Sequence, residues 1–450
     1  MQVVCGVCHS YSAHLYEVLG SELGGTDGMT MKSSFCSEYV SACEDQIVLS
    51  ADYCEVHTGG GEDLYWSYPY VEPEIAESGL MELFSFDLPD NPMAMHMSPD
   101  GSVWWVAHLI GQLIEVSTDS LDSFSTVVDL ADRSDFYVDY EEGLIDFAFG
   151  PVFHSNNRFY ASYSYSDAVS TRAGVYNRLS MFEYSATAAA TLASEEIYVE
   201  SSVRSSAIHA GGWVGFKPSD YGSGTAHDLY WSNGDSGPQE DTDEHGQNLD
   251  DIHATIVRIT VPTTGTGYTI PSGNVEGGLP EICAYGFRNP FRCGFDSATD
   301  DLYCGDVGHT LIESVKLIEC GNNYGWSRFE GSRCQEAAED RLGPCDGVDR
   351  SGFTFPIFEY CHPDYDSSVA SEDAFTDGVD ICAATTLRGN AVIGGYVYRG
   401  QFYEEVLGGA YVFGDQQNGN IYFLVEEGDS LTVGTIVSDG SASVISFSED

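Results

Sequence analysis

Between Cys283 and Trp326 the chain reads CAYGFRNPFRCGFDSATDDLYCGDVGHTLIESVKLIECGNNYGW, and chemically competent groups crowd along it. Arg288-Asn289-Pro290 sets a guanidinium and an amide at a turn made rigid by proline, just ahead of a strand. Asp306-Val307-Gly308-His309 is a turn where a residue without Cβ lets the backbone approach a ligand closely. Glu313 adds a carboxylate, and Gly321-Asn322-Asn323-Tyr324-Gly325-Trp326 closes the stretch with aromatic rings. A cation, an amide, free carbonyls and a carboxylate brought together suit an anionic organic cofactor held beside a hard, oxygen-seeking metal ion.

YGFRNP, GDVG and GNNYGW, in that order, resemble the signature of the soluble glucose/sorbosone dehydrogenases, and the likeness runs from about Leu83 to the last residue. That family folds as six-bladed β-propellers that use pyrroloquinoline quinone (PQQ) and calcium. The resemblance implies that Arg288 and Asn289 contact the quinone. It implies that the carbonyls of Gly308 and His309 ligate Ca2+, with Glu313 as the neighbouring acid. His209, in a His209-Ala210-Gly211-Gly212-Trp213 turn like the family's HNGG, is expected to line the central channel. The family's general base is expected in a motif like EGLLGIAFHPDF. Here Glu142 to Phe153 reads EGLIDFAFGPVF, so Gly150 stands in the histidine's place and His154 is the nearest imidazole. Glycine cannot accept a proton, and general-base catalysis is worth ~10²–10⁴-fold.

The resemblance also implies a lysine and two arginines facing PQQ from the last blade. The matching regions read Phe413-Gly414-Asp415-Gln416 and Ser441-Ala442-Ser443, which leaves Arg388 or Arg399 as substitutes. Three lost charge-assisted hydrogen bonds would cost ~5–9 kcal/mol if they added. Asp241, Asp243 and Glu244 form an acidic loop that suits either calcium or water, and Arg292 reads as an outer-strand residue.

Positioning these groups requires strands. LFSFDL, SVWWVAH, QLIEVS, FYASYSY, LSMFEYS, DLYWSNG, TIVRITV, DLYCGDV, VIGGYVYRG, AYVFGDQ and NIYFLVEE alternate apolar and polar residues between Gly/Asp/Asn turns. Many short strands without long helices mean a propeller or a large sandwich. The family resemblance selects an all-β, six-bladed β-propeller over residues 83–450, expected to lack its final strands. Residues 1–60 read as a small helical, cysteine-rich segment, with Tyr11, Leu15 and Leu19 on one helical face. It resembles the tail of the folate-receptor-like domain of the Hedgehog-interacting-protein-like branch. Residues 61–82 read as a Gly/Pro-rich aromatic linker.

Seventeen Lys+Arg against 71 Asp+Glu give a net charge of −54, which excludes nucleic acid and anionic membrane surfaces as partners. No apolar run is long enough to span a bilayer. Thirteen cysteines, none spaced like a zinc site, predict disulfides in an oxidising, extracellular setting. Cys293 and Cys304 are expected to face each other across a hairpin. The first residues do not read as a secretory leader, and the odd cysteine count near them suggests a chain truncated at its start. Two functions follow from the resemblance. The first is a secreted propeller with impaired or no catalysis that binds a glycan or an extracellular protein. The alternative is an active PQQ- and calcium-dependent dehydrogenase oxidising the anomeric hydroxyl of an aldose. Gly150 and the missing cations place the binding protein first.

Overall fold

The computed structural model describes residues 30–32, 63–65, 91–117, 124–167, 174–222, 224–335, 348–363, 387–400, 403–427, 430–437 and 443–449. By contact the chain divides into two units, residues 1–85 with 400–404, and residues 86–399 with 405–450. In the first unit Thr30–Lys32 pairs antiparallel with Asp63–Tyr65, so a strand lies within the stretch read as linker. The helices expected around Tyr11–Leu19 and Phe35–Cys43 lie outside the described residues.

Among the described residues, five four-stranded antiparallel meanders belong to the second unit. Blade 1 is Pro92–Met97, Val103–His108, Gln112–Ser117 and Phe124–Asp129. Blade 2 is Leu144–Phe149, Arg158–Ser166, Val175–Glu183 and Glu196–Glu200. Blade 3 is Val214–Phe216, Ala226–Asn233, Thr255–Pro262 and Ile282–Tyr285. Blade 4 is Pro290–Phe295, Leu302–Asp306, Ile312–Ile318 and Phe358–Cys361, with a small hairpin, Phe329–Glu330 against Arg333–Cys334, inserted before its last strand. Blade 5 is Val392–Val397, Tyr411–Asp415, Ile421–Glu427 and Ser430–Val437. Residues 443–449 run without regular pairing, and Val444 and Phe447 pack over Gly414 and Gly395 of blade 5.

Successive side chains along a strand point to opposite faces, and buried apolar residues on the facing sides of adjacent blades pack together. Trp105 and Leu113 of blade 1 meet Phe147, Phe149 and Phe159 of blade 2 in one cluster. Leu179 and Met181 meet Val214, Leu229 and Trp231 between blades 2 and 3. Tyr230 and Ile256 meet Phe287 and Phe295 between blades 3 and 4, and Val315 and Tyr360 meet Val392 and Phe413 between blades 4 and 5. Such stacking of sheet on sheet round an axis is the expected propeller. Cys293 and Cys304 stand directly opposite in the register of blade 4 and are bonded. A second bridge, Cys283–Cys320, was not expected; it ties the last strand of blade 3 to the segment after the third strand of blade 4.

Arg292 corrects the sequence reading. It lies on the first strand of blade 4, it is buried, and its Nη2 donates to the carbonyls of Met93 (2.7 Å) and Ile145 (3.3 Å) on the first strands of blades 1 and 2. The first strands are therefore the innermost, and one guanidinium bridges three of them. Asp146, beside it, accepts from Val214 N–H (3.2 Å) and pairs with His96 (3.0 Å). An alternating pattern cannot tell an innermost strand from an outer one, which is why Arg292 was misplaced. Arg292→Ala should lower unfolding stability by ~3 kcal/mol, since hydrogen bonds from a charged donor contribute ~1.5–3 kcal/mol each. Denaturant titration checks this; a loss below about 0.5 kcal/mol, the range of neutral surface changes, would contradict it.

Candidate functional site

The segments leading into the innermost strands are bonded to one another round one end of the unit. Leu144 N–H donates to Leu109 O (3.1 Å), Glu141 Oε2 accepts from His209 N–H (2.6 Å), and Asn289 Oδ1 accepts from Gly211 N–H (2.9 Å). Glu313 Oε2 accepts from Val392 N–H (2.9 Å). Second strands finish at this same end, and in blades 3, 4 and 5 a Gly-Asp pair marks the place: Gly234-Asp235, Gly305-Asp306 and Gly414-Asp415.

These aspartates are buried and must find N–H donors. Asp306 takes the backbone N–H of Arg288 (3.1 Å) and Asn289 (2.8 Å) and pairs with Lys316. Asp415 takes the N–H of Asn390 (2.9 Å) and Ala391 (3.0 Å) and the Tyr360 hydroxyl (2.8 Å). Asp235 is used differently. Its Oδ1 contacts His209 Nδ1 (2.5 Å) and accepts from Gly237 N–H (2.8 Å), while Oδ2 accepts from Trp326 Nε1 (2.8 Å). Burial works to raise the Asp235 carboxyl, but the charge and hydrogen bond of His209, and then Arg288, outweigh it and hold it below its ordinary value.

Arg288 lies over this pair. Asp235 N–H donates to Arg288 O (2.7 Å), and the guanidinium stands 5.6 Å from the Trp326 ring. Its Nε donates to Gln239 O (3.2 Å) and Nη1 to Gly308 O (2.5 Å) and Val307 O (3.2 Å). Among the described residues three polar atoms here have no hydrogen-bond partner: His209 Nε2, Arg288 Nη2 and Asn289 Nδ2. Close packing brings them together, since a Cβ on Gly234 would sit 2.2 Å from His209 O and 2.9 Å from Asn289 Oδ1. Backbone strain gathers here too. His209 (φ 60°), Ser236 (67°), Asp241 (51°), Glu244 (62°) and Ala254 (60°) all hold left-handed conformations that non-glycine residues usually avoid. His309 is half-buried near Arg288, and burial first, then Arg288, hold its imidazole below the usual value.

The expected calcium ligands do not suit a cation in this arrangement. Gly308 O already accepts from a guanidinium. Glu313 is fully buried, with Oε1 on His362 Nε2 (2.7 Å) and Oε2 on the N–H of Gly308 (3.2 Å) and Val392. Glu330 Oε1 collects the N–H groups of His309, Thr310, Leu311 and Ile312 at 2.8–3.0 Å. Gly308 is glycine because a Cβ would lie 1.8 Å from Ile312 O, so the missing side chain serves the turn's own packing. No group of three His, Cys, Asp or Glu is spaced to hold a metal among the described residues. A trianion such as PQQ fits no better. Arg204 and Lys316 are committed to Glu142 and Asp306, which leaves Arg288, among the described residues beside Asp235, as the cation nearest to meeting it.

Other expected residues lie elsewhere. Gly150 and His154 follow the innermost strand of blade 2, Leu144–Phe149, at the end away from His209, roughly 20 Å along it. Gly150 packs on Arg158 O, and His154 is exposed on a single helical turn, Phe153–Asn156. The base expected there is therefore irrelevant to this end, where His209, held by Asp235, and half-buried His309 are the imidazoles near Arg288. Arg399 is also at the far end, paired with Asp296 through Nε (2.7 Å) and Nη2 (2.5 Å). Arg388, leading into blade 5, is at the near end, where Asn418 Nδ2 donates to its carbonyl (2.8 Å). Asp243 and Glu244 line a cleft of about 340 Å³ with Gln247, Asn248 and Ser327. Asp235 was missed as a functional residue; the repeated Gly-Asp at the end of second strands was the available signal.

A model of the Glucose / Sorbosone dehydrogenase family matches residues 89–400. The HIPL2 protein of Arabidopsis thaliana is 29% identical over 328 residues, 62% of this chain and 43% of that protein. Hedgehog-interacting protein of Mus musculus is 25% identical over 303 residues, 63% of this chain and 34% of that protein. The chain spans about half the length of the curated relatives it matches. Among solved structures, the PQQ-bound form of aldose sugar dehydrogenase from Streptomyces coelicolor aligns with a TM-score of 0.55 at 17% identity, covering 80% of this chain and 85% of that one. That likeness concerns the fold.

Asp241 carries a pH prediction. Burial, then the charge of Asp235, push its carboxyl up to about 6. A folded-state value above the unfolded one means stability that is full below about pH 4 and lost as pH rises through about 6. Asp241→Asn removes that loss, so its stability relative to the unmodified chain should improve between pH 4 and 7.5, by up to ~3 kcal/mol. Denaturant titrations of both proteins across that range check it; parallel curves would refute it.

Proposed function

Starting from the fact that the chain belongs to the glucose/sorbosone dehydrogenase family, we propose that it binds a sugar at the His209–Asp235–Arg288–Asn289 cleft. The observation that carries this reading is the set of unpaired atoms, His209 Nε2, Arg288 Nη2 and Asn289 Nδ2, at one end of the stacked blades. Buried or half-buried polar groups with spare capacity are costly unless a ligand or water completes them. A hydroxyl both donates and accepts, so adjacent sugar hydroxyls can satisfy an imidazole nitrogen, a guanidinium and an amide together. The setting we infer is extracellular. The Cys283–Cys320 and Cys293–Cys304 bridges, with Cys334 and Cys361 also bonded, persist where thiols are oxidised. Among the described residues no helix is long and apolar enough to cross a membrane.

The second reading is oxidation of the bound sugar's anomeric hydroxyl with PQQ and calcium. It is favoured by one observation, that an aspartate-held histidine with a free Nε2 can take a hydroxyl proton. The committed Gly308 carbonyl and the shortage of cations oppose it. A protein partner, as the name of the murine relative states for that protein, is the competing occupant of the same end.

Calorimetric titration with a panel of aldoses and oligosaccharides tests the first reading. Binding weakened at least tenfold, about 1.4 kcal/mol, by Arg288→Ala and by His209→Gln is expected; no heat with any sugar would retire it. Reconstitution with PQQ and calcium, followed by a dye-linked assay, separates the second. Turnover abolished in His209→Gln would establish oxidation, and absence of turnover with sugar still bound would leave a binding protein.

A further inference from the structure

Tyr140 is the most exposed of the large hydrophobic side chains described, at 75%, and it holds a left-handed φ of 29°. Neither property helps folding. The phenol makes no hydrogen bond among the described residues, and positive φ is unfavourable for a bulky residue. Yet the turn that carries it is tightly built. Asp139 N–H donates to Glu142 O (3.0 Å) and Glu142 N–H returns to Asp139 O (2.5 Å). Glu142 is paired with Arg204 at 2.9 Å, both side chains fully buried. Arg204 in turn donates to Ile208 O (2.8 Å) and Ser206 O (3.2 Å), in the loop that bears His209. Glu141, next to Tyr140, takes the backbone N–H of His209 itself. An exposed aromatic ring is thus fixed one residue away from the carboxylate that holds the site's histidine. Val138 in the same loop and Val203 in the loop before His209 are exposed as well, so apolar side chains stand on this rim beside the exposed Asp139 and half-buried Glu141.

We propose that Tyr140 is a positioning platform on which the sugar ring stacks, its face covering the C–H face of a pyranose while hydroxyls reach His209, Arg288 and Asn289. This rests on the sugar-binding reading and narrows the ligand class. Pyranoses with equatorial hydroxyls, the gluco-configured aldoses and their oligomers, place axial C–H bonds together as a flat apolar face; linear polyols do not. Tyr140 acts through dispersion and hydrophobic contact, so an aromatic ring is required and its hydroxyl is not.

The test uses the full chain without added cofactor, a methyl glucopyranoside and cellobiose as probes, and sorbitol as control. Saturation-transfer NMR and calorimetry are read on the unmodified chain, Tyr140→Ala, Tyr140→Phe and Arg288→Ala. The expected result is at least fivefold weaker pyranoside binding in Tyr140→Ala, with lost saturation of the ring C–H protons, near-unchanged binding in Tyr140→Phe, and sorbitol bound more weakly than the pyranosides. Thermal melting of Tyr140→Ala should stay nearly unchanged, because the side chain is 75% exposed. Equal binding by Tyr140→Ala, while Arg288→Ala loses it, overturns the platform and leaves the sugar site standing. Equal losses in Tyr140→Phe and Tyr140→Ala overturn stacking in favour of a hydroxyl contact. No pyranoside binding by the unmodified chain overturns the sugar site and the platform together.

Discussion

A buried aspartate at the end of a second strand must be surrounded by donors, and this requirement organises the working end of the propeller. In blades 4 and 5 the donors are chiefly backbone N–H groups of the two residues that lead into the innermost strand, so the carboxylate fixes where that strand begins. In blade 3 the same position, Asp235, is filled largely by the side chains of His209 and Trp326. One element of a structural repeat has thereby been turned to holding an imidazole and an indole. The conversion costs little in architecture, because Asp235 N–H still bonds across to Arg288 O and joins blade 3 to blade 4.

The electrostatic consequence, among the described residues around Asp235, is a spare guanidinium nitrogen on Arg288 in a strongly acidic chain. Buried cations elsewhere are consumed locally: Arg204 by Glu142, Lys316 by Asp306, Arg292 by carbonyls across the axis. A neutral, hydroxyl-rich ligand meets no penalty from such a field, whereas a multiply charged anion meets repulsion that few nearby cations, Arg288 foremost among the described residues, offset. This is the physical ground for proposing sugar recognition ahead of quinone chemistry.

Several parts were legible in the residues. The blade strands declare themselves by alternation and Gly/Asp turns, and Cys293 opposite Cys304 follows from the symmetric strand–turn–strand between them. Arg288 and Asn289 do converge at one end. Glu313 and Gly308, by contrast, were read as metal-facing when they are internal partners of each other, of Val392 and of His362. Spacing alone does not distinguish a carboxylate that faces a ligand from one that faces its own loop.

Composition and local pattern by themselves determined an acidic, disulfide-bonded, all-β chain of repeating strands with an Arg-Asn pair at a turn, because those properties depend on neighbours within a few residues. Only the tertiary structure decided which strands are innermost, that Arg292 bridges them, that Gly150, His154 and Arg399 sit at the opposite end, and that His209 meets Asp235. Those facts depend on which end of a strand faces which end of another blade, and a periodic sequence looks the same from both ends.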